Sequence, residues 1–220
     1  MRRTFRDRQD AGVQLAAELA GYADNPDVLV LGLPRGGVPV AYEVARALHA
    51  PLDVFVVRKL GVPGHRELAM GAIASGGVRV LNDDVIESLR ISAPIIDAVA
   101  AYEQKELERQ QRAYRDDLPF PELAGRTVII VDDGLATGST MRAAVRALRQ
   151  GGPARIVVAV PVGAAETCRS LRHEADEVVC ATIPPDFNAV SLWYDEFSQT
   201  TDQEVRTLLE AAAAHDAPAR

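Results

Sequence analysis

The chain has 220 residues, of which 48% are hydrophobic and 25% charged, and this composition excludes disordered, collagen-like and disulfide-rich proteins while allowing one domain with a small appendage. Its 24 basic and 31 acidic side chains give a formal net charge of -7, which argues against binding nucleic acid through a broad cationic surface. The longest largely apolar run, residues 156–165, is half the length of a membrane span, and no signal-peptide stretch follows the basic N-terminus, so we predict a cytoplasmic protein without membrane or nucleic-acid partners.

Short β-branched runs alternate along the chain with segments of helical periodicity, which is typical of repeated βα units around a mostly parallel sheet. Helices are predicted over residues 9–22, around the stripe formed by Val40, Val44 and Leu48, and over 141–148. The strand candidates are almost entirely apolar, as strands covered on both faces should be; they are residues 28–33, 54–57, 128–131, 156–160 and 178–181. We therefore predict an α/β fold with an open, mostly parallel twisted sheet flanked by helices, in a single domain over residues 1–220.

Residues from about 60 to 120 interrupt this alternation and are predicted to form an insertion. A loop is predicted over about 60–70, because Gly61, Pro63 and Gly64 all fall there. We interpret this loop as a flexible lid, with residues 65–67 (His65, Arg66 and Glu67) near its tip.

The rest of the insertion and the C-terminal part show clearer signals. Residues 69–75 and 78–81 predict a hairpin around Gly76-Gly77, and Pro94 suits the first turn of a long helix through Tyr114. Residues from about 183 to 200 predict a small hood. The run Thr201-Asp-Gln-Glu204 fits a capping box that opens a final helix.

The most informative segment is the run Val-Ile-Ile-Val-Asp-Asp-Gly-Leu-Ala-Thr-Gly-Ser-Thr-Met at 128–141. It predicts a buried strand, two acids at its carboxyl end, a loop of small residues and then a helix; ligands bind at this end of the strands in open α/β sheets. The loop leads directly into the helix, so its N–H groups and the positive helix end can surround a phosphate. Carboxylates accept hydrogen bonds from vicinal sugar hydroxyls, so Asp132 and Asp133 beside a phosphate site predict a ribose 5-phosphate. The candidate phosphate-binding residues are Ala136, Thr137, Gly138, Ser139 and Thr140.

Other motifs with related chemistry fit less well. A Walker loop needs a lysine where Ser139 stands, and residues 32–37 do not form the dinucleotide-binding glycine pattern. A phosphohydrolase with an aspartate nucleophile is disfavoured because the DxDxT order is absent. Ser139 and the four histidines show no spacing typical of nucleophilic catalysis.

The segment resembles the signature of the type I phosphoribosyltransferase family. That signature begins with four apolar residues, two acids and two variable residues. It continues with Ala, Asp or Thr and ends with Thr-Gly-x-Thr. The resemblance covers about residues 25–200. It implies that Asp132 and Asp133 bind the ribose hydroxyls of 5-phosphoribosyl pyrophosphate (PRPP) and take part in catalysis. It also implies that residues 136–140 bind the 5-phosphate.

Two further segments strengthen the resemblance. Leu33-Pro-Arg-Gly-Gly37 follows the first predicted strand and is similar to the pyrophosphate loop of the family, which implies that Arg35, Gly36 and Gly37 face the leaving group. Val57-Arg-Lys59 is similar to the Arg-Lys pair that opens the flexible catalytic loop of adenine and orotate enzymes. This second likeness adds Arg58 and Lys59 to the pyrophosphate site.

The reaction implied by the resemblance is displacement of magnesium-bound pyrophosphate from C1 of the ribose by a nitrogen nucleophile, through an oxocarbenium-like transition state. Arg35, Lys59, backbone amides and Mg²⁺ would offset the negative charge that builds on the leaving group. The implied cofactor is Mg²⁺ bound with PRPP or pyrophosphate, and the implied partners are PRPP and a base. The resemblance is also compatible with a homodimer, on which the sequence itself is silent.

The acceptor base is not fixed by these motifs. Enzymes for 6-oxopurines carry Asp at the position of Ala136, whereas adenine-type members carry Ala there. Residues 183–197 nevertheless resemble the hood of the 6-oxopurine enzymes, with one inserted residue, which implies that Phe187 stacks on the base and that Asp195 lies near metal and pyrophosphate. Trp193 is a second candidate for stacking, with core packing of the hood as the alternative. Because the clues conflict, the chain is most similar to bacterial stand-alone members whose acceptor is unassigned.

A PRPP-binding regulator without turnover is the alternative to an enzyme, since some members of the family regulate transcription or attenuation. The negative charge and the lack of a helix-turn-helix or basic stripe weigh against it. Arg58, Lys59 and the predicted lid favour chemistry.

Overall fold

The computed structural model describes residues 4–115 and 118–216, without the side chains of residues 66, 67 and 216. Its strands are β1 Val28–Gly32, β2 Leu52–Val54, β3 Val57–Val62, β4 His65–Ala74, β5 Val78–Leu81, β6 Thr127–Val131, β7 Arg155–Val162 and β8 Glu177–Thr182. Its helices are α1 Arg8–Glu18, α2 Gly37–Leu48, α3 Asp83–Ser88, α4 Ala93–Arg115, α5 Ser139–Gln150, α6 Ala165–Leu171 and α7 Asp202–Asp216. No helix within the described ranges is long and apolar enough to cross a membrane.

Five strands form one parallel sheet in the order β2-β1-β6-β7-β8. Successive side chains of a strand point to opposite faces, so one core contains Ile130 and Val158 with α5 and α6, and the other contains Ile129 and Val157 with α1 and α2. Full burial of one such side chain contributes about 1.5–3 kcal/mol to folding. The predicted α/β fold with a mostly parallel sheet flanked by helices is confirmed.

The strand order places the candidate site. The chain runs outward from β1 to β2 on one side and from β6 to β8 on the other, so the strand order reverses between β1 and β6. These two strands pair in parallel, with Gly32 opposite Val131 at their carboxyl ends. The loops that follow them therefore flank one crevice, at the kind of position where open α/β sheets bind ligands.

The prediction of one strand over 54–57 is wrong. Those residues span the end of β2 and the start of β3, and β3 leaves the parallel sheet to pair with β4 in an antiparallel sheet of order β3-β4-β5. We call this three-stranded sheet the arm. A single apolar run had concealed the junction because both strands are apolar where they meet.

The prediction of a loop over about 60–70 is also wrong, whereas the lid role given to this segment stays a prediction. The segment consists of the ends of β3 and β4, joined by a turn at Pro63 and Gly64. Leu60 and Met70 are buried against α4 and therefore hold the strands in place, while Gly61 marks a register shift rather than a loop. The side chains of residues 66 and 67, assigned to the lid tip, lie outside the described residues. The hairpin around Gly76-Gly77 is confirmed, and both glycines have positive φ, 81° and 75°.

The remaining elements agree with the sequence in outline. The long helix is α4, and the capping box at α7 is formed, with the Thr201 N–H donating to Glu204 Oε2 at 2.6 Å and the Glu204 N–H to Thr201 Oγ1 at 3.1 Å. The first helix ends earlier than predicted, at Glu18. Helices α3 and α6 were not predicted, since six and seven residues are too few for a periodic signal. The hood is mainly irregular, with one short 3₁₀ turn at Val190–Trp193.

Candidate functional site

Asp132 and Asp133 lie in the crevice between β1 and β6, directly after β6, and both are half-buried. Asp132 Oδ1 accepts a hydrogen bond of 2.9 Å from the backbone N–H of Asp133. Burial raises the pKa of Asp132, and the neighbouring charge of Asp133 raises it further. Burial also raises the pKa of Asp133, although the charge of Arg8 opposes that shift. The pair is thus a concentrated, poorly hydrated source of hydrogen-bond acceptors.

Arg8 is a site residue that sequence reasoning missed. Its Nε and Nη2 both lie 2.9 Å from Asp133 Oδ2, and its Nη1 donates to the carbonyl of Ser198 at 2.6 Å. The guanidinium carbon is 4.0 Å from the ring centroid of Phe197. Because Arg8 and Asp133 are 125 residues apart, no local pattern could have joined them.

The glycine pair Gly36-Gly37, which follows β1, touches the acid pair directly. A Cβ placed on Gly36 would lie 2.1 Å from Asp133 Oδ2, and one on Gly37 would lie 2.6 Å from the carbonyl oxygen of Val131 and 2.9 Å from Asp132 Cα. Only glycine permits this approach. The structure therefore brings the predicted pyrophosphate-loop glycines and the predicted ribose-binding acids together.

Arg35 lies in the same loop, but its side chain points toward Asp202 at the start of α7. The peptide bond between Pro34 and Arg35 is cis. Arg35 Nη1 lies 3.7 Å from Oδ1 of Asp202 at the start of α7, and the Arg35 side chain is 37% exposed. Its role at the leaving group stays a prediction. That role requires the Arg35 side chain to leave Asp202 and contact the pyrophosphate instead.

Residues 136–140 form the predicted turn into α5, which begins at Ser139. Gly138 is the N-cap with φ 71°, a conformation that favours glycine. The first N–H groups of a helix lack partners within the helix, and they carry its partial positive charge. This segment can therefore bind an anion with its backbone.

Thr167 on α6 supports this segment and was also missed. Its hydroxyl donates to the carbonyl of Ala136 at 2.7 Å, and its methyl group occupies the space that a Cβ on Gly138 would need, at 2.5 Å. The loop is also tied to β7, because the Leu135 N–H donates to the carbonyl of Val162 at 2.9 Å. These contacts fix the position of the amides before any ligand binds.

Replacing Thr167 by valine keeps the shape of the side chain and removes this hydrogen bond. We expect the free energy of unfolding to fall by about 1 kcal/mol, the usual net value of such a bond. Thr207→Val is the matched control, since the exposed Thr207 hydroxyl donates to the Gln203 carbonyl within α7. Urea denaturation of both variants measures the difference, and equal midpoints would show that Thr167 does not support the loop.

Lys59 and Arg58 lie on opposite faces of β3, because side chains alternate along a strand. Lys59 Nζ lies 3.4 Å from Ser139 Oγ, at the start of α5. Arg58 instead pairs with Glu103 on α4 at 2.7 Å. The structure thus brings Lys59, but not Arg58, to the predicted phosphate-binding loop. Beside them, a cleft of about 300 Å³ separates the arm from α5.

The hood corrects the assignment of Trp193 to base stacking. Trp193 is only 5% exposed and packs with Phe5, Val162 and Tyr194, so its ring cannot stack on a ligand. Phe187 is half-buried against the same cluster. Core packing, the alternative that the sequence left open, is the role of Trp193.

Tyr194 and Val190 of the hood border the crevice. The Tyr194 hydroxyl donates to the carbonyl of Asp133 at 2.5 Å, and Val190 fills the space beside Gly134. Ile183 and Leu192 are 44% and 50% exposed. Asp195 is exposed, and its backbone N–H donates to the carbonyl of Phe5 at 2.8 Å. Within the described ranges, no cluster of three or more His, Cys, Asp or Glu side chains could hold a metal ion by itself.

Comparisons with known proteins agree with this geometry. The sequence profile of the phosphoribosyl transferase domain matches residues 64–195. The crystal structure of TT1426 from Thermus thermophilus is 43% identical and superposes with a TM-score of 0.81, covering 94% of this chain and 97% of that one.

Two relatives found by sequence are longer. One is a Mycobacterium tuberculosis protein that is named as a phosphoribosyl transferase by inference. It is 50% identical over 208 residues, which are 94% of this chain and 47% of that protein. The bifunctional protein PyrR of Roseiflexus is 33% identical over 135 residues, 61% of this chain and 55% of PyrR. The chain therefore spans about half the length of these relatives.

Proposed function

The chain belongs to the phosphoribosyl transferase domain family, and from this premise we propose that it transfers the 5-phosphoribosyl group of PRPP to a nitrogenous base and releases pyrophosphate. One observation carries the proposal. At the junction of β1 and β6, the acid pair, the N-terminus of α5 and the glycine pair Gly36-Gly37 meet in one crevice. The N-terminus of α5 suits the 5-phosphate of PRPP, the acid pair suits its ribose, and the glycine pair suits its pyrophosphate. These three groups are linked in the same order in PRPP.

The 5-phosphate is assigned to residues 136–140. Backbone N–H groups at the start of α5 suit its charge, and Thr137, Ser139 and Thr140 add hydroxyl donors. Asp132 and Asp133 suit the 2- and 3-hydroxyls, which need acceptors. A sugar held at both places has its C1 fixed toward the glycine pair, and fixing the reacting atoms in this way is a large part of catalysis.

The pyrophosphate is assigned to the loop at Gly36, where the N–H of Gly36 is the candidate donor because the N–H of Gly37 already donates to the carbonyl of Leu33 at 3.0 Å, and Arg35 and Lys59 are proposed as its cations. In the reaction, the bond from C1 to the pyrophosphate oxygen breaks and its electron pair leaves with pyrophosphate. A base nitrogen forms the new bond to C1 and gives up its proton. Preorganised donors around the leaving group lower the barrier because negative charge builds there.

Magnesium fits this site as a companion of the substrate. Mg²⁺ keeps several waters and is usually bound by one or two carboxylates together with substrate phosphates. We propose Asp195, one of the exposed carboxylates of the hood, as the protein ligand, with the pyrophosphate oxygens as the other ligands. When bound, the metal neutralises part of the leaving-group charge.

The acceptor is proposed to lie under the hood, on its exposed apolar residues. With Trp193 in the core, the remaining candidates are the half-buried Phe187 and the exposed Ile183 and Leu192. The alanine at position 136 continues to disfavour 6-oxopurines. We also propose that the protein is cytoplasmic and that it forms a homodimer, the latter from the family resemblance.

A panel of bases tests the proposal. Purified protein with PRPP and Mg²⁺ is assayed for pyrophosphate release with adenine, hypoxanthine, guanine, xanthine, uracil and orotate. A transferase releases pyrophosphate with at least one base, in proportion to nucleotide formed. The alternative, a PRPP-binding regulator, binds PRPP and releases nothing with any base.

Lys59 supplies a sharper test of turnover. Replacing Lys59 by glutamine should lower kcat/KM for PRPP by about tenfold to a hundredfold, the range expected when one charge-assisted contact to a phosphate is lost. Lys105→Gln on α4 makes the same charge change at an exposed position and should leave turnover unchanged. Equal kcat/KM values in the two variants would remove Lys59 from the site.

A further inference from the structure

Arg8 approaches the crevice from outside the segment that the family profile matches. It is the first residue of α1, and the profile covers residues 64–195. Its side chain is only 12% exposed and that of Asp133 only 16%. A guanidinium held by two nitrogens on one carboxylate oxygen, in a place with little water, is a strong and directional contact.

The position of the Arg8 guanidinium is fixed from several sides. The Ser198 carbonyl accepts from its Nη1, and the ring of Phe197 lies against its face. Gly36 leaves just enough room, since a Cβ there would be 3.3 Å from Arg8 Nε. The start of α1 is itself held, because the Asp7 carboxylate caps the helix by accepting from the Asp10 N–H at 2.8 Å. Arg8 is therefore a rigid part of the crevice wall.

The acid pair has four carboxylate oxygens, and one oxygen of each carboxylate accepts a hydrogen bond from the protein. Asp133 Oδ2 is bound by Arg8, and Asp132 Oδ1 accepts from the Asp133 N–H. Among the described residues, no other residue donates a hydrogen bond to Asp132 Oδ2 or Asp133 Oδ1. One acceptor oxygen on each carboxylate thus remains for a ligand. Two acceptors on adjacent residues match the two hydroxyls of a vicinal diol.

We propose that Arg8 is a positioning residue of the ribose site, which turns Asp133 so that each carboxylate presents one oxygen to the two ribose hydroxyls. The proposal rests on the proposed function, because it takes PRPP as the ligand. Arg8 itself does not contact the reacting atoms. It acts through Asp133, and its loss should change how the acid pair responds to pH.

The direction of that change follows from the charges around the pair. Two groups face the acid pair, Arg8 from α1 and the hydroxyl of Tyr194 from the hood. Glu204 on α7 lies further away, and the charge of Arg8 contributes to lowering its pKa. Burial raises the pKa of both Asp132 and Asp133, and Arg8 opposes this for both. Without Arg8, protonation of the pair therefore moves to higher pH, and a protonated carboxyl presents one acceptor fewer.

The test is calorimetric titration with PRPP and Mg²⁺ from pH 6 to 8.5, for wild type, Arg8→Gln, Arg8→Lys and the control Arg6→Gln. Arg6 is a matched control because its side chain is 75% exposed and its ion pair among the described residues is with the neighbouring Asp7. We expect the Kd of Arg8→Gln, divided by that of wild type, to rise toward acid pH by up to about tenfold per pH unit. Arg8→Lys keeps the charge and loses the two-point contact, so its ratio should be above one and nearly constant with pH.

The outcomes separate this inference from the proposed function. If wild type fails to bind PRPP at every pH, the proposed function is wrong and the inference falls with it. If wild type binds and Arg8→Gln shows a ratio of one, or a ratio that does not change with pH, only the inference is overturned. Thermal unfolding of each variant shows that it is folded at the pH of the titration.

Discussion

Replacing Asp132 and Asp133 together by asparagine should weaken PRPP binding by at least about a hundredfold. Two charge-assisted hydrogen bonds to the ribose are each worth about 1.5–3 kcal/mol, and 1.4 kcal/mol is a factor of ten in affinity. The variant should remain folded, because burial already disfavours the charge on both residues and asparagine still offers an oxygen to Arg8. Calorimetric titration and thermal unfolding measure the two quantities.

A second pair of adjacent acids provides the control. Asp83 and Asp84 are exposed in the first turn of α3, so replacing both by asparagine changes the net charge equally without touching the crevice. That variant should bind PRPP as wild type does. If the Asp132 and Asp133 variant also binds with wild-type affinity, the acids are not the ribose site.

Alanine at the two positions of the glycine pair should produce two different failures. At Gly36 the new Cβ meets the Asp133 carboxylate, which can turn aside only by giving up its contact with Arg8, so we expect a loss of PRPP affinity of about tenfold or more together with a smaller loss of stability than at Gly37. At Gly37 the new Cβ meets the backbone of Val131 and Asp132, which cannot turn aside. We expect that variant to lose about 1–3 kcal/mol of unfolding free energy.

Gly21→Ala is the control for both variants, because nothing lies within 4 Å of a Cβ there. Denaturation and PRPP titration of the three proteins give the comparison. Wild-type affinity in Gly36→Ala would contradict the close contact between the glycine and the acid pair. Wild-type stability in Gly37→Ala would mean that the β1 loop lies further from β6 than described.

The parallel sheet and the phosphate-binding segment could be predicted because their signals are local. The apolar run 128–131 of β6, the two acids and the small residues before α5 stand in one unbroken stretch of chain, and each has a direct physical meaning. The same holds for the glycine pair after β1. What the sequence could not show was that Gly36 and Asp133 touch, since that depends on the pairing of β1 with β6.

The wrong and missed predictions concern residues whose roles depend on contacts with distant parts of the chain. Residues 60–70 of the arm were predicted to be a loop because glycine and proline outweighed a strand pattern whose supporting helix lies elsewhere in the chain. Trp193 was assigned to the ligand because an aromatic residue can serve a core or a binding surface, and only its burial decides. Arg8 was overlooked because the basic N-terminus offered no hint of a partner 125 residues away.

The most direct test of the account is calorimetric titration of the wild-type protein with PRPP in the presence of Mg²⁺, followed by displacement with ribose 5-phosphate and with pyrophosphate. The proposed function predicts that one PRPP binds per chain. It also predicts that each fragment displaces PRPP while binding more weakly, because each fills only part of the crevice. Absence of PRPP binding, or binding that ribose 5-phosphate does not displace, would contradict it.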